Sequence, residues 1–202
     1  MIDTIYTIGY SGFKIDDFVK TLKANGVSVV IDVRSLPYSQ FHSDYNKENL
    51  SKVLEDAKIY YRNYVDEFGA RQKKQNYYPN GYLDFEIFAQ SEEFLSGYEK
   101  IKKSMQKNFV VSLMCSEKDP LKCHRAILVA RAFHNAGYKV IHLLPEGKTT
   151  TQNEIEERLL NMFFPDREQI NMFAPTLTME EYINEAYKKQ NANIGYSIER
   201  DD

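Results

Sequence analysis

The chain has 202 residues, of which 43% are hydrophobic and 27% are charged, a composition typical of one globular domain with a substantial core. Its formal net charge of −3 gives the whole molecule no general attraction for nucleic acid or for a membrane surface. The 2 cysteines are too few for a disulfide framework, and we find no secretory signal and no long apolar run. We therefore expect a cytoplasmic protein with reduced thiols and no membrane partner.

The first half of the chain alternates between strand and helix patterns. A strand over Thr4–Ile8 ends at the turn signal Gly9–Gly12, and apolar residues at helical spacing follow. Val27–Val33 is almost continuously apolar, as in a strand buried on both faces, and Ile59–Val65 alternates as a further strand. The polar, basic and aromatic segment Gly69–Tyr82 predicts a long loop.

The second half continues this alternation. Phe109–Met114 predicts another buried strand, and Lys139–Leu144 predicts the last strand of the core. Between them, Asp119 followed by a proline starts a helix that we expect to run to about Ala136. The pattern predicts an α/β domain of three layers, with a mostly parallel sheet of about five strands flanked by helices.

The chain after these strands carries two capping-box patterns, Thr151–Glu154 and Thr178–Glu181, each of which opens a helix. We predict a single α/β domain over residues 1–164. Residues 165–202 are expected to form a C-terminal extension with a short extended segment and a final helix.

Chemically reactive residues follow three of the predicted strands, in the segments Gly9–Gly12, Asp32–Arg34 and Cys115–Glu117. In an open parallel sheet, ligands bind outside the carboxyl ends of the strands. We therefore expect these segments to meet at one site.

The segment from Cys115 to Arg125 is the richest in such residues. Cys115 faces a predicted helix N-terminus, which favours an anion and lowers the pKa of a thiol. His124 suits proton transfer near neutral pH, and Arg125 suits a bidentate clamp on phosphate or carboxylate. The alternatives are structural: Cys115 and Cys123 as inert core residues, and the two polar side chains as capping or solvated groups.

Asp32 and Arg34 lie on the same side of their strand, because one residue separates them. They either form an ion pair at the strand end or present a carboxylate and a guanidinium to a substrate. Glu117 is equally open between a catalytic acid or base and a surface charge.

Cys115, Cys123 and His124 are all zinc-ligand types. However, adjacent cysteine and histidine residues do not easily bind one ion together, and the chain has no CxxC pair. We therefore predict no metal and no cofactor.

Three pieces of the sequence, TIGYSG (Thr7–Gly12), IDVRSLPYS (Ile31–Ser39) and MCSEKDPLKCHR (Met114–Arg125), together resemble the DUF488 family. The resemblance extends over most of the chain to about Phe173. The family name carries no established activity, so the resemblance implies a site rather than a reaction. The implied site residues are Gly9, Ser11, Asp32, Arg34, Pro37, Ser39, Cys115, Glu117, Cys123, His124 and Arg125.

The first functional hypothesis is an enzyme, a hydrolase or a transferase, that acts on a small phosphate-bearing or nucleotidic substrate. The expected catalytic residues are Cys115, Glu117, His124 and Asp32. The expected substrate- or anion-binding residues are Gly9, Ser11, Arg34, Ser39 and Arg125.

The alternative hypothesis is a binding module associated with DNA replication or repair. Residues 169–173 resemble the peptide by which bacterial proteins bind the sliding clamp, with Gln169, Ile170, Met172 and Phe173 as the anchors. The basic and aromatic loop Arg71–Tyr78 would suit nucleic acid, because its cations neutralise phosphates and its tyrosines stack on bases. The alternative for residues 169–173 is that Ile170, Met172 and Phe173 fold back and cover the domain's own core.

Overall fold

The computed structural model describes residues 3–167 and 177–198. Its strands are β1 (Thr4–Gly9), β2 (Val29–Asp32), β3 (Tyr60–Asn63), β4 (Val111–Cys115), β5 (Lys139–Leu143) and β6 (Thr149–Thr151). They form one sheet in the order β3-β2-β4-β1-β5-β6. The first five strands all pair in parallel with their neighbours. The sixth strand, β6, pairs antiparallel with β5.

The helices are α1 (Ile15–Ala24), α2 (Lys47–Asp56), α3 (Val65–Phe68), α4 (Phe85–Ala89), α5 (Glu92–Gln106), α6 (Arg131–Asn135), α7 (Gln152–Phe163) and α8 (Met179–Ile194). A π-helical segment, Arg125–Ala130, leads directly into α6. Single 3₁₀ turns lie at Ser43–Tyr45, Gln75–Tyr77, Pro120–Lys122 and Pro145–Gly147. None of the helices in the described ranges has the length and apolarity needed to cross a bilayer.

Successive side chains of the central strands enter two different cores, because neighbours on a strand point to opposite faces of the sheet. Val30 packs with Phe18 of α1 and Leu50 of α2. Ile31 belongs to the larger core, which includes residues of α5, α7 and α8, such as Leu159. The expected three-layer α/β class with a mostly parallel, helix-flanked sheet is therefore confirmed.

The sheet differs from the expectation at one edge, since it has six strands rather than about five. The additional strand, β6, consists of three threonines that immediately precede α7. Its last residue, Thr151, is also the N-cap of α7 in a complete capping box with Glu154. Thr178 and Glu181 form the second predicted capping box, at the start of α8.

The prediction of one helix from Asp119 to about Ala136 was wrong, because the chain is extended at Cys123 (φ −136°, ψ 133°). Asp119 caps only a single 3₁₀ turn, through its bond from the Leu121 N–H. The Cys123 carbonyl then accepts bonds from the N–H groups of Ala126 and Ile127, which begins the second helical segment.

The final helix packs on the body of the protein. Ala186 and Tyr187 of α8 are buried, and Gln190 donates a hydrogen bond to the carbonyl of Leu121. Asn191 exchanges hydrogen bonds with the backbone of Leu83 and Phe85. The division into a domain over residues 1–164 and an extension over 165–202 stays a prediction.

Candidate functional site

The carboxyl ends of β1, β4 and β2 lie side by side at one edge of the sheet. The parallel register pairs Gly9 with Cys115 and Asp32 with Met114. The three segments that the sequence singled out are therefore neighbours in the fold.

A cavity of about 300 Å³, which we call the strand-end cavity, lies at this edge. Its lining combines cations, a carboxylate, two cysteines and a histidine: Arg34, Ser35, Leu36, Ala70, Arg71, Cys115, Ser116, Glu117, Lys122, Cys123, His124, Ile194 and Tyr196. A larger cavity of about 680 Å³ lies elsewhere in the molecule. It is lined mainly by apolar residues of α4, α5, the π-helical segment and α6. The reactive side chains are thus gathered in the smaller cavity.

Four reactive side chains form a compact cluster in the strand-end cavity. The Cys115 Sγ lies 3.5 Å from a carboxylate oxygen of Glu117 and 3.9 Å from Nδ1 of His124. The sulfur atoms of Cys115 and Cys123 and a ring nitrogen of His124 all lie within 4.8 Å of one another. His124 Nε2 lies 2.9 Å from the Val33 carbonyl, which can only accept, so Nε2 carries the proton and Nδ1 faces the sulfur.

The surroundings of the two thiols shift their pKa values in opposite directions. Burial opposes the ionisation of Cys123, but its hydrogen bond with Cys115 and the charge of Arg125 outweigh burial and hold the pKa of Cys123 well below its usual value. The same sulfur–sulfur hydrogen bond, together with burial, raises the pKa of Cys115 well above its usual value.

Cys123 also affects the other two members of the cluster. Burial disfavours the charged ring of His124, but the hydrogen bond with Cys123 outweighs burial and raises the pKa of His124. Desolvation, followed by the effect of Cys123, raises the pKa of Glu117. The pKa values of the side chains in this cluster therefore depend on one another.

Arg34 and Asp32 form a buried ion pair beside the cluster. Arg34 Nη2 and Nε lie 2.6 and 2.9 Å from the two carboxylate oxygens of Asp32, and Nη2 also donates to the Tyr45 carbonyl. Burial acts against the charge of Arg34, but Asp32 outweighs it and raises the pKa of Arg34. Arg34 Nη1 is buried and has no hydrogen-bond partner among the described residues.

Arg125, a predicted anion ligand, is fully buried, and its guanidinium bonds to the protein itself. Its Nη1 donates to the Glu117 carbonyl at 2.6 Å, and its Nη2 donates to that of Lys118 at 3.3 Å. Its Nε donates to the hydroxyl of Thr7. Arg125 thus holds the backbone of the turn that carries Glu117.

The other predicted anion-binding residues do not line the cavity. Gly9 packs against the backbone of Glu117, and the Ser11 N–H donates to the Ser116 carbonyl. Ser39 lies in the loop after β2, where its hydroxyl accepts from the N–H of His42. The predicted partner-binding residues Gln169, Ile170, Met172 and Phe173 lie outside the described residues.

Among the lining residues that were not predicted as part of this site, three have charged or aromatic side chains: Lys122, Arg71 and Tyr196. Lys122 precedes Cys123 and is exposed, and no feature of the sequence distinguished it from other surface lysines. Arg71 belongs to the loop that the sequence suggested for nucleic acid, and its guanidinium lies 4.5 Å from the ring centre of Tyr196. Tyr196 follows α8 and reaches the cavity through tertiary packing, which no local pattern encodes.

The fold and the site together define a three-layer α/β protein with a cysteine-, histidine- and arginine-lined cavity at the carboxyl ends of its parallel strands. The chain belongs to the family described as "Domain of unknown function DUF488", whose model matches residues 14–132. That span contains every residue that lines the strand-end cavity except Ile194 and Tyr196. No curated protein and no solved structure matches the chain.

Proposed function

We propose that this chain is an enzyme that binds a phosphate-bearing or nucleotidic substrate in the strand-end cavity. The observation that carries this proposal is Arg34, a buried arginine that lines the cavity and has an unpartnered Nη1. A buried donor without a partner costs about 1–3 kcal/mol. In this proposal an anionic oxygen bound in the cavity reaches Nη1 and satisfies this donor.

The charges around Arg34 support an anionic ligand. Asp32 fixes the guanidinium through two of its nitrogens but does not contact the third. Lys122 and Arg71 are exposed residues that line the same cavity and add two positive charges. Phosphate is the anion that best matches several converging donors.

The reactive groups of the proposed enzyme are those of the cluster. Cys115, Cys123, His124 and Glu117 line the cavity that holds the anion-binding cations. A substrate phosphate on Arg34 therefore lies beside sulfur, imidazole and carboxylate groups. Asp32 and Arg125 act as positioning residues in this proposal, because Asp32 orients Arg34 and Arg125 holds the turn of Glu117.

Calorimetric titration of the full chain with phosphate, pyrophosphate and mononucleotides tests the binding step. We expect Lys122→Ala and Arg71→Ala each to weaken binding about tenfold, because each removes a charged contact. Lys52→Ala and Arg62→Ala are the matched controls, since both residues are exposed and lie outside the cavity. Equal losses in the controls, or no binding by the unchanged protein, would exclude the anion site.

Turnover of a panel of phosphate esters and nucleotides tests the enzymatic step. Glu117→Gln keeps the size of the side chain, so it should retain anion binding and lose turnover. If the protein bound anions but turned over no member of the panel, it would be a binding protein, and the proposed enzymatic activity would be contradicted.

The described residues give no support to the alternative of a nucleic-acid module. Tyr77 and Tyr78 of the basic loop are buried, so they are not available to stack on bases. Lys73 pairs with Asp66, and Lys74 pairs with Glu93. Binding of a sliding clamp and a cytoplasmic location stay predictions from the sequence.

A further inference from the structure

We propose that Cys115, Cys123 and His124 bind one thiophilic divalent metal ion of the zinc type at the base of the strand-end cavity. Their two sulfur atoms and one ring nitrogen lie within 4.8 Å of one another, and all three residues are buried. Zinc bonds of about 2.3 Å to sulfur and about 2.0 Å to nitrogen place tetrahedral ligands about 3.5–4 Å apart. The 3.9 Å separation of Cys115 Sγ and His124 Nδ1 falls in that range.

The orientation of His124 also fits a metal ligand. Metal-binding histidines almost always donate their second ring N–H to a carbonyl or carboxylate, which fixes the ring and its tautomer. His124 donates Nε2–H to the carbonyl of Val33. In the neutral ring the lone pair of Nδ1 therefore faces the Cys115 sulfur atom.

The break in the helix explains how two adjacent residues serve one ion. Cys123 is extended (φ −136°, ψ 133°), and His124 is the first residue in helical conformation (φ −57°, ψ −23°). This change of backbone direction between the two residues brings both side chains to Cys115. In the continuous helix expected from the sequence, Cys123 and His124 would have pointed about 100° apart.

Three protein ligands leave one position of a tetrahedral ion for an oxygen ligand, the arrangement of catalytic rather than structural zinc sites. A carboxylate oxygen of Glu117 lies 3.5 Å from Cys115 Sγ, one of the three proposed ligands. The ion would thus face the anion-binding side chains. The inference deepens the proposed function, but it is tested by metal binding alone, so either proposal can fail without the other.

Titration of the metal-free, reduced full chain with Co²⁺ tests the site. Tetrahedral Co²⁺ with two thiolates gives a sulfur-to-metal charge-transfer band and intense visible bands, and we expect both to saturate at one ion per chain. Added Zn²⁺ should displace the bound Co²⁺ and remove these absorption bands. Cys115→Ser and Cys123→Ser should abolish the charge-transfer band or halve it, and His124→Gln should weaken binding at least tenfold.

His134→Gln is the matched control, since His134 lies in α6, outside the cluster. It should bind Co²⁺ as the unchanged protein does. Circular dichroism establishes that each variant is folded.

A second measurement needs no variant. Zn²⁺ should protect both thiols of the unchanged protein from alkylation and should raise its thermal midpoint, because the ion binds the folded state. Unprotected thiols, a cobalt spectrum without charge transfer, or a spectrum unaltered in Cys123→Ser would overturn the metal site.

Discussion

The backbone carbonyl oxygen of Glu117 lies only 1.8 Å from the position that a Cβ atom at Gly9 would occupy. The same Cβ would lie 2.9 Å from Nη1 of Arg125, the group that donates to this carbonyl. The end of β1 therefore supports the turn that presents Glu117, and it does so only because residue 9 has no side chain.

Gly9→Ala should displace the Glu117 backbone and cost about 1–3 kcal/mol of unfolding free energy, as overpacking in a close-packed site does. It should also weaken anion binding. Chemical denaturation and calorimetry measure the two effects. Gly26→Ala is the control: its φ of +67° makes it strained, but no atom lies within 4 Å of the new Cβ, so it should lose stability and keep anion binding.

Arg125→Lys should loosen the same turn, because a lysine cannot reach the carbonyls of Glu117 and Lys118 and the hydroxyl of Thr7 together. We expect a loss of about 2 kcal/mol, the scale of hydrogen bonds to charged groups. Arg158→Lys, at an exposed pair with Asp119, should change stability by less than about 1 kcal/mol. Similar values for the two variants would contradict the role assigned to Arg125.

Asp32→Asn should be strongly destabilising, because it leaves the charge of Arg34 buried without its partner. Loss of one member of a buried pair typically costs about 3–5 kcal/mol. Asp66→Asn removes an exposed pair with Lys73 and should cost less than about 1 kcal/mol. Urea denaturation at neutral pH compares the two, and a small effect of Asp32→Asn would show that Arg34 does not depend on this carboxylate.

His142 makes stability depend on pH. The ring is fully buried, accepts from the hydroxyl of Thr7 through Nδ1 and donates to Gln152 through Nε2. Burial, followed by the charge of Arg125, lowers the pKa of His142 from 6.5 to about 3.

Between these two values the unfolded chain binds a proton at His142 and the folded protein does not. The stability from this group is therefore complete above about pH 6.5 and is lost as the pH falls toward 3, by up to about 1.4 kcal/mol per pH unit. His142→Asn should flatten this part of the stability curve, measured by denaturation at several pH values.

Much of the fold was predictable because its signals are local. Buried parallel strands give apolar runs, and the capping boxes at Thr151 and Thr178 mark helix starts within four residues. β6 was missed because three threonines next to a cap show no alternation. The break at Cys123 was missed because no glycine or proline marks it, and the apolar pattern continues through Ile127.

The site was only partly predictable. The convergence of Cys115, Asp32 and Gly9 follows from parallel topology, which fixes where strand ends lie. The burial of Arg125 against backbone carbonyls, and the arrival of Arg71 and Tyr196 at the cavity, depend on packing between segments distant in sequence. No pattern of neighbouring residues encodes such contacts.

The most direct test of the account is the position of a bound anion. Tungstate scatters anomalously and mimics phosphate, so a crystal structure of the full chain with tungstate locates the site. The account predicts tungstate in the strand-end cavity, with an oxygen within about 3 Å of Arg34 Nη1. Tungstate bound only elsewhere, with Arg34 Nη1 still unpartnered, would contradict it.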